Sequence, residues 1–147
     1  MADPIVISKP TGMLECKSVG AIVRNKDGEF LLLDRRKGVS GWACPAGHLE
    51  GNENNLSALR RELAEETGVQ VNDAMKLILH AGINNACQRG FDAHEWRVYF
   101  LEAASDHVEL KEPDKHKGIG WFNSGEIAGL NLEPVWLAIF LELDLWA

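Results

Sequence analysis

The 147-residue sequence is 46% hydrophobic and 25% charged, which is typical of one soluble globular domain with a substantial core, and we treat 1–147 as a single domain. Its formal net charge of −7 argues against a protein that binds nucleic-acid polymers or anionic membranes. No uncharged segment reaches the ~18 residues of a membrane span, and the first residues lack the pattern of a signal peptide. Cys16, Cys44 and Cys87 are odd in number and widely spaced, so we expect free thiols in a reducing compartment and a cytoplasmic protein.

The chain begins with an extended arm over residues 1–15, in which prolines and a glycine surround a short apolar run. This arm could add an edge strand to a sheet or lie across a partner subunit. Strands are predicted over 18–23 and 30–33, and residues 25–28, with the sequence NKDG, are typical of the hairpin turn between them.

Residues 47–69 predict a turn followed by an amphipathic helix with many acids. On a wheel with ~100° per residue, Glu62, Glu65 and Glu66 share one face. A separate buried stripe is predicted from Leu56, Leu59, Leu63 and Thr67. Carboxylates three and four residues apart repel one another, so this face needs either full solvation or a bound cation. A solvated acidic face is the ordinary interpretation of such a helix.

The spacing of the whole segment favours the cation. It fits the pattern G-x5-E-x7-R-E-U-x-E-E-x-G-U, in which U is apolar, at all nine specified positions. The matching residues are Gly47, Glu53, Arg61, Glu62, Leu63, Glu65, Glu66, Gly68 and Val69. This segment resembles the Nudix box of the Nudix hydrolases. The resemblance implies an α/β Nudix fold, which is an α/β/α sandwich with a central mixed β-sheet and a loop-helix-loop catalytic motif.

The residue types suit the implied chemistry, which is Mg²⁺-dependent hydrolysis with Mn²⁺ as a substitute. Mg²⁺ prefers carboxylate, phosphate and water oxygens, and a neighbouring carboxylate can accept a proton from water. We expect Glu62, Glu65 and Glu66 to hold the metal, with a carboxylate of this group or an acid near 112–114 as the base. Arg61 is expected to orient these acids and to lie near Glu53, and Gly68 is expected to end the helix.

The residues that precede the box depart from the family pattern. Relatives usually carry W-x-L-P-G-G where this chain has WACPAG, so Ala46 replaces the glycine whose carbonyl often binds metal. Ala46 can offer the same carbonyl if its backbone does not require glycine. Asn52 replaces another family glycine, and asparagine can take the left-handed conformation.

Three cationic residues at 35–37 lie just upstream. We interpret them as a lip that receives phosphate, and a solvated loop is the alternative. Arg36 is the preferred phosphate ligand among them. The sequence GHLE, together with these cations, resembles the MutT-like branch, whose members cleave nucleoside triphosphates. His48 either stacks on or hydrogen-bonds the nucleotide, or makes a structural contact.

After the helix, strands are predicted over 75–81 and 96–101. We place substrate selectivity in the polar connection 82–95, and a surface loop without a role is the alternative. Residues 109–122 resemble the E-P-E-K and W-x-W segment of the same branch. Glu112 and Asp114 are candidates for contacts with the substrate or metal, or for the base, and a solvated turn is the alternative.

A helix beginning near Pro134 is predicted to bury Leu137, Phe140 and Leu141, and its apolar excess suggests a homodimer.

The predicted function is hydrolysis of a nucleoside triphosphate to a monophosphate and pyrophosphate. One alternative is a Nudix hydrolase of ADP-ribose, a nucleotide sugar or a dinucleotide. Another is a non-catalytic nucleotide-binding module, although such modules typically lose the box acids that this chain retains.

Overall fold

A computed structural model describes residues 5–10, 16–36, 40–85 and 93–145, which form a mixed β-sheet with helices on both faces. The first strands are β1 (Ile7–Ser8), β2 (Lys17–Arg24), β3 (Phe30–Arg35), β4 (Gly41–Ala43) and β5 (Ala46–His48). Helix α1 (Asn55–Glu66) follows, and then β6 (Lys76–Ile83), β7 (His94–Glu102) and β8 (His116–Phe122). The chain continues through α2 (Ser124–Ala128) and α3 (Pro134–Leu143).

The sheet has the strand order β1-β6-β7-β2-β3-β4, while β5 pairs with β2 and β8 pairs with β3. Strands β2 and β7 are parallel along their length, and the other pairs between these strands are antiparallel. The predicted mixed sheet and α/β class are therefore confirmed.

Two apolar cores lie on opposite faces of the sheet because alternate residues of a strand point to opposite sides. Val19, Ala21 and Val23 of β2 pack in the core that contains Leu59 and Leu63 of α1. On the other face, the core includes Ile22 of β2 and the buried residues of α2 and α3. This arrangement is the α/β/α sandwich that the Nudix resemblance implies.

The predicted strands and the first hairpin are confirmed. Arg24 pairs with Phe30 across the turn, and Gly28 there has a φ of 76°. The arm does add an edge strand, since Ile7 and Ser8 pair with Ile83 and Gly82. The connection 82–95 is shorter than predicted, because β6 and β7 remain paired as far as Ile83 and His94. Residues 37–39 and 86–92 lie outside the described residues, as do 1–4, 11–15 and 146–147.

The predicted buried face of α3 is wrong at two positions. Leu137 and Leu141 are 41% and 58% exposed, whereas Val135, Trp136, Ile139 and Phe140 are buried. The buried residues follow the 3–4 residue spacing of a single helix face, and Leu137 and Leu141 form a neighbouring stripe. Among the helices that the structure describes, none is both long and apolar enough to cross a bilayer.

The expectation of free thiols is correct for Cys44, which is buried, and wrong for Cys16, which is disulfide-bonded. Burial raises the pKa of the Cys44 thiol, so this group is a protonated core residue at neutral pH. Cys87 lies outside the described residues.

Candidate functional site

The acidic segment folds as a strand, a turn and a helix. Strand β5 pairs with β2, and α1 begins after Asn54, whose side-chain oxygen accepts a hydrogen bond from the Ser57 N–H at 2.8 Å. The left-handed residue of the turn is Gly51, with a φ of 55°, and not Asn52 as the sequence suggested. At the other end, Gly68 has a φ of 66° and donates to the Leu63 carbonyl, which confirms it as the residue that ends the helix.

The buried face of α1 differs from the predicted stripe. Leu59, Leu63 and Thr67 are buried as expected, but Leu56 is 42% exposed and Glu66 is only 7% exposed. Ala58 is also buried, so the buried arc is centred closer to Glu66 than to Leu56. One of the box carboxylates therefore lies between the helix and the sheet.

Arg61 connects the acids to the turn. Its Nε and Nη2 donate to the two carboxylate oxygens of Glu53 at 2.8 and 2.9 Å. Nη1 donates to Glu62 at 2.9 Å and to Glu65 at 3.2 Å, and Nη2 also donates to the His48 carbonyl at 3.1 Å. The fork geometry of a guanidinium permits all of these bonds at once, so Arg61 fixes three glutamates relative to β5.

The pKa values of these groups reflect that arrangement. The hydrogen bonds from Arg61 lower the pKa of Glu53 from 4.5 to about 2, and the bond to Glu53 raises the pKa of Arg61. Glu53 and Arg61 therefore remain a charged pair throughout the pH range in which proteins are usually studied.

The pKa values of Glu62 and Glu66 shift in the opposite direction from that of Glu53. Burial raises the pKa of each carboxyl, and the charge of Glu62 raises that of Glu66 further. An Oε1 atom of Glu66 accepts a hydrogen bond from the Ala46 N–H at 3.0 Å. Glu65 is much more open, with its side chain 48% exposed. Two partly or fully buried carboxylates that repel each other form a site that a cation would stabilise.

Gly47 permits this close approach of β5 to α1. A Cβ atom built on Gly47 would collide with the carboxylate of Glu62. The glycine is thus required by space and not by its backbone angles, because its φ is not in the left-handed region.

A third acid reaches the same place from the segment before β8. The N–H groups of Lys115 and His116 donate to the Glu112 carbonyl at 2.9 and 3.0 Å, which makes a tight turn of 112–116. Ligand atoms of Glu66, Glu112 and His116 lie within 4.8 Å of one another and could hold a metal ion. Asp114 is in the same turn but is exposed, and it is not a member of this group. His116 is not among the residues that the sequence predicted for the site, although it lies four residues after Glu112.

Cations lie beside this turn. The Arg36 Nε donates to the Pro113 carbonyl at 3.1 Å, and its guanidinium is exposed. Lys115 is 3.1 Å from a carboxylate oxygen of Glu112. Arg35 instead forms an ion pair, with an N–O distance of 3.1 Å, to the nearly buried Glu133 that precedes α3.

His48 is the last residue of β5. Its ring stacks on that of His94, with ring centroids 5.4 Å apart and an interplanar angle of 14°. The two Nε2 atoms are 3.4 Å apart, and His94 Nδ1 lies 2.8 Å from the Asn85 carbonyl oxygen. Burial lowers the pKa of His94, so its ring is neutral at pH 7. Cys16 also approaches these rings, but it is disulfide-bonded and so offers no thiolate to a metal.

A family model described as NUDIX domain matches residues 15–141. The chain belongs to the Nudix family. It is 31% identical over 112 residues to the asymmetrical bis(5'-nucleosyl)-tetraphosphatase of Rattus norvegicus, covering 74% of this chain and 73% of that one. It is 30% identical to the RNA pyrophosphohydrolase of Bartonella clarridgeiae, covering 98% of this chain and 80% of that one.

Solved structures show the same fold. A MutT NUDIX hydrolase from Burkholderia pseudomallei superposes with a TM-score of 0.73 at 24% identity, covering 88% of this chain and 95% of its own. The NUDIX domain of Shewanella oneidensis NrtR, in complex with ADP ribose, has the same TM-score at 19% identity, with coverages of 92% and 90%. The protein is a Nudix hydrolase that acts on phosphoanhydride bonds of nucleotides.

The Nudix chain tolerates alanine at position 46 for a structural reason. Among the non-glycine residues that the structure describes, Asp144 alone has a positive φ, so the backbone of Ala46 does not require glycine. Ala46 pairs with Gly20 in the sheet and donates its N–H to Glu66. Its position beside the buried carboxylate is therefore kept without the family glycine.

Proposed function

We propose that this protein hydrolyses a nucleoside triphosphate to a nucleoside monophosphate and pyrophosphate, with Mg²⁺ as its cofactor. The observation that carries the proposal is the pair of carboxylates, Glu62 and Glu66, held against β5 with the turn 112–116 and its cations beside them. Carboxylates that can bind a metal ion therefore adjoin cationic side chains that can bind phosphate. A polyphosphate needs both of these partners at once.

The donor set fits a hard divalent cation. Glu66 is buried, and its pKa is raised by burial and by the charge of Glu62. A carboxylate oxygen of Glu112 lies within 4.8 Å of one of Glu66. Glu62, Glu66, Glu112 and the carbonyl of Ala46 would hold Mg²⁺, with Glu65 at the exposed edge. When bound, the ion supplies Lewis-acid stabilisation of the charge that develops on the phosphate oxygens.

The remaining residues position the groups that react. Arg61 keeps Glu53, Glu62 and Glu65 in fixed orientations, which limits the reorganisation needed during the reaction. Arg36 and Lys115 bind the phosphates that become pyrophosphate. Asp114, on the exposed side of the same turn, contacts the substrate. Glu65, which is half exposed, accepts the proton of the attacking water.

His48 supplies a surface for the nucleobase. Its ring is part of a series that includes His94 and Trp96, whose ring centroids are 5.7 Å apart. The His48 ring can stack on a nucleobase, because every nucleobase presents a π-face. The short distance along β5 from Ala46 to His48 suits a substrate whose base and phosphates are bound together.

Hydrolysis of a dinucleoside polyphosphate is the second candidate. The similarity to the rat tetraphosphatase, which extends over about three quarters of both chains, favours it. The two candidates share the chemistry and differ in whether a second nucleoside is attached to the polyphosphate.

A panel of substrates tests the proposal. The purified protein is incubated with Mg²⁺ and each ribo- and deoxynucleoside triphosphate, dinucleoside tetraphosphates, ADP-ribose and nucleotide sugars, and the products are identified by chromatography and mass spectrometry. A monophosphate and pyrophosphate from triphosphates are expected. Exclusive cleavage of dinucleoside tetraphosphates supports the second candidate, and exclusive cleavage of ADP-ribose or nucleotide sugars overturns both.

Two variants connect the activity to the site. Glu66→Gln is expected to reduce turnover by roughly 10²-fold or more. Glu142→Gln, which changes an exposed acid on α3, is the matched control and should retain full activity. Equal turnover in Glu66→Gln and the wild-type protein would contradict the assignment of the site.

A further inference from the structure

His116 is held rigidly at the edge of the acidic site. It is the first residue of β8 and pairs with Arg35 of β3, next to an irregularity in the strand register. Its N–H and that of Lys115 both donate to the Glu112 carbonyl, so the imidazole and the Glu112 carboxylate project from one tight turn. The backbone that carries this ring is therefore held beside the acids by hydrogen bonds.

The ring points at the most buried of the box acids. Nε2 of His116 lies 3.4 Å from Oε2 of Glu66, and the two side chains are only 7% and 9% exposed. Nδ1 is buried and has no hydrogen-bond partner within the part of the chain that the structure describes. A neutral imidazole has one N–H donor and one lone pair, so in either tautomer Nδ1 has an unmet donor or an unmet lone pair.

The imidazole is therefore buried at a cost that its described neighbours do not offset. An unpartnered polar atom inside a protein costs about 1–3 kcal/mol relative to a satisfied one. A cation bound through the Nε2 lone pair would fix the tautomer with the proton on Nδ1 and would give the buried ring a partner at Nε2. Bonds of ~2.1 Å to a small divalent ion place neighbouring ligand atoms about 3.0 to 3.4 Å apart, and the observed separation of His116 Nε2 and Glu66 Oε2 is 3.4 Å.

We propose that His116 is a nitrogen ligand of the divalent cation held by Glu66 and Glu112, which makes this a mixed nitrogen and oxygen site. The inference rests on the proposed function, because it concerns the same cation. One ligand atom from each of the three residues lies within 4.8 Å of the others. These atoms come from α1, from the turn 112–116 and from β8, so the site closes only in the folded chain.

A nitrogen ligand changes which metal the site prefers. Mg²⁺ is a hard cation that favours oxygen, whereas imidazole suits Zn²⁺ and other later first-row metals, and Mn²⁺ is the first member of that series. The protein should therefore bind Mn²⁺ more tightly, relative to Mg²⁺, than a site built from carboxylates alone. Replacement of His116 by glutamine should reduce this preference.

Mn²⁺ alone is the probe that tests the inference. The wild-type protein, His116→Gln and His107→Gln are titrated with Mn²⁺ by electron paramagnetic resonance, and the bound ion is then examined by electron spin echo envelope modulation. His107 is the matched control because it is an exposed histidine that pairs with Glu109. Modulation from a coordinated ¹⁴N nucleus is expected in the wild-type protein and in His107→Gln, and it should be lost in His116→Gln. The affinity of His116→Gln for Mn²⁺ should fall about 10-fold or more.

The outcomes separate the inference from the proposed function. Bound Mn²⁺ without ¹⁴N modulation in the wild-type protein, or with modulation that persists in His116→Gln, would show that His116 only orients Glu66 and would overturn the inference. Failure of the wild-type protein to bind Mn²⁺ at all would overturn the cation site and the proposed function with it. If His116→Gln does not fold, wild-type protein labelled with ¹⁵N-histidine replaces it, and an unchanged modulation pattern would overturn the inference.

Discussion

Arg61 and Glu53 form a bidentate ion pair that connects the middle of α1 to the turn before it, with N–O distances of 2.8 and 2.9 Å. Lysine has a single ammonium group and cannot reproduce the two parallel bonds. We expect Arg61→Lys to lower the free energy of unfolding by about 1–3 kcal/mol and to reduce turnover, since Glu62 and Glu65 lose the same donor. Urea denaturation and steady-state kinetics measure the two effects.

The matched control for this prediction is Arg60→Lys, because Arg60 is the exposed neighbour of Arg61 on the same helix. It should change neither quantity. Equal stability and turnover in Arg61→Lys and Arg60→Lys would mean that the bidentate geometry has no role.

The buried carboxylate of Glu66 should destabilise the protein when no metal is present. Its pKa is raised by burial and by Glu62, so the folded state holds a proton that the unfolded state releases, and stability decreases as the pH rises through the raised pKa. At pH 8 in the presence of a chelator, we expect Glu66→Gln to melt at a higher temperature than the wild-type protein. Excess Mg²⁺ should raise the melting temperature of the wild-type protein alone. A lower melting temperature for the variant under chelation would contradict this account.

Glu53 should have the opposite pH dependence. Its pKa is lowered from 4.5 to about 2 by Arg61, so its charge stabilises the fold above pH 4.5, and this contribution is lost as the pH falls from 4.5 towards 2. The difference in unfolding free energy between the wild-type protein and Glu53→Gln should therefore be constant near pH 6 and shrink below pH 4.5. Urea titrations between pH 3 and pH 7 measure it, with Glu142→Gln as the exposed reference. A difference that stays constant to pH 3 would exclude the low pKa.

Gly47→Ala should affect the site more than the fold. The new Cβ atom collides with the Glu62 carboxylate, which lies at the end of a flexible side chain and can move. We expect a change of less than about 1 kcal/mol in unfolding free energy, because no core group is displaced. Mn²⁺ affinity and turnover should both fall as Glu62 leaves its position. Calorimetric titration with Mn²⁺ checks this, and unchanged affinity would show that the position of Glu62 is not required.

Leu59 and Leu56 test which face of α1 is buried. Leu59 is fully buried and Leu56 is 42% exposed. Leu59→Ala should cost about 2–5 kcal/mol of stability, whereas Leu56→Ala should cost less than about 0.5 kcal/mol. Chemical denaturation of both variants measures the difference. Similar losses would place Leu56 in the core, as the sequence alone suggested.

The sequence by itself determined the features that depend on short spacings. The alternation of β2, the turn at 25–28, the acids of α1 and the terminating Gly68 follow from residues a few positions apart, because regular backbone geometry decides which neighbours share a face. The Nudix pattern over 47–69 combines such spacings with residue types that suit the chemistry. It therefore indicated the family and the class of reaction correctly.

Only the tertiary structure decided which of these residues meet. The burial of Glu66 depends on how α1 rotates against β5, and a helical wheel cannot give that rotation because several arcs of this helix carry apolar residues. The exposure of Leu137 and Leu141 is a similar choice between adjacent faces of α3. His116 approaches Glu66 because β8 pairs with β3 beside the site. Such contacts between distant segments are set by the packing of the sheet and its helices, and no local spacing encodes them.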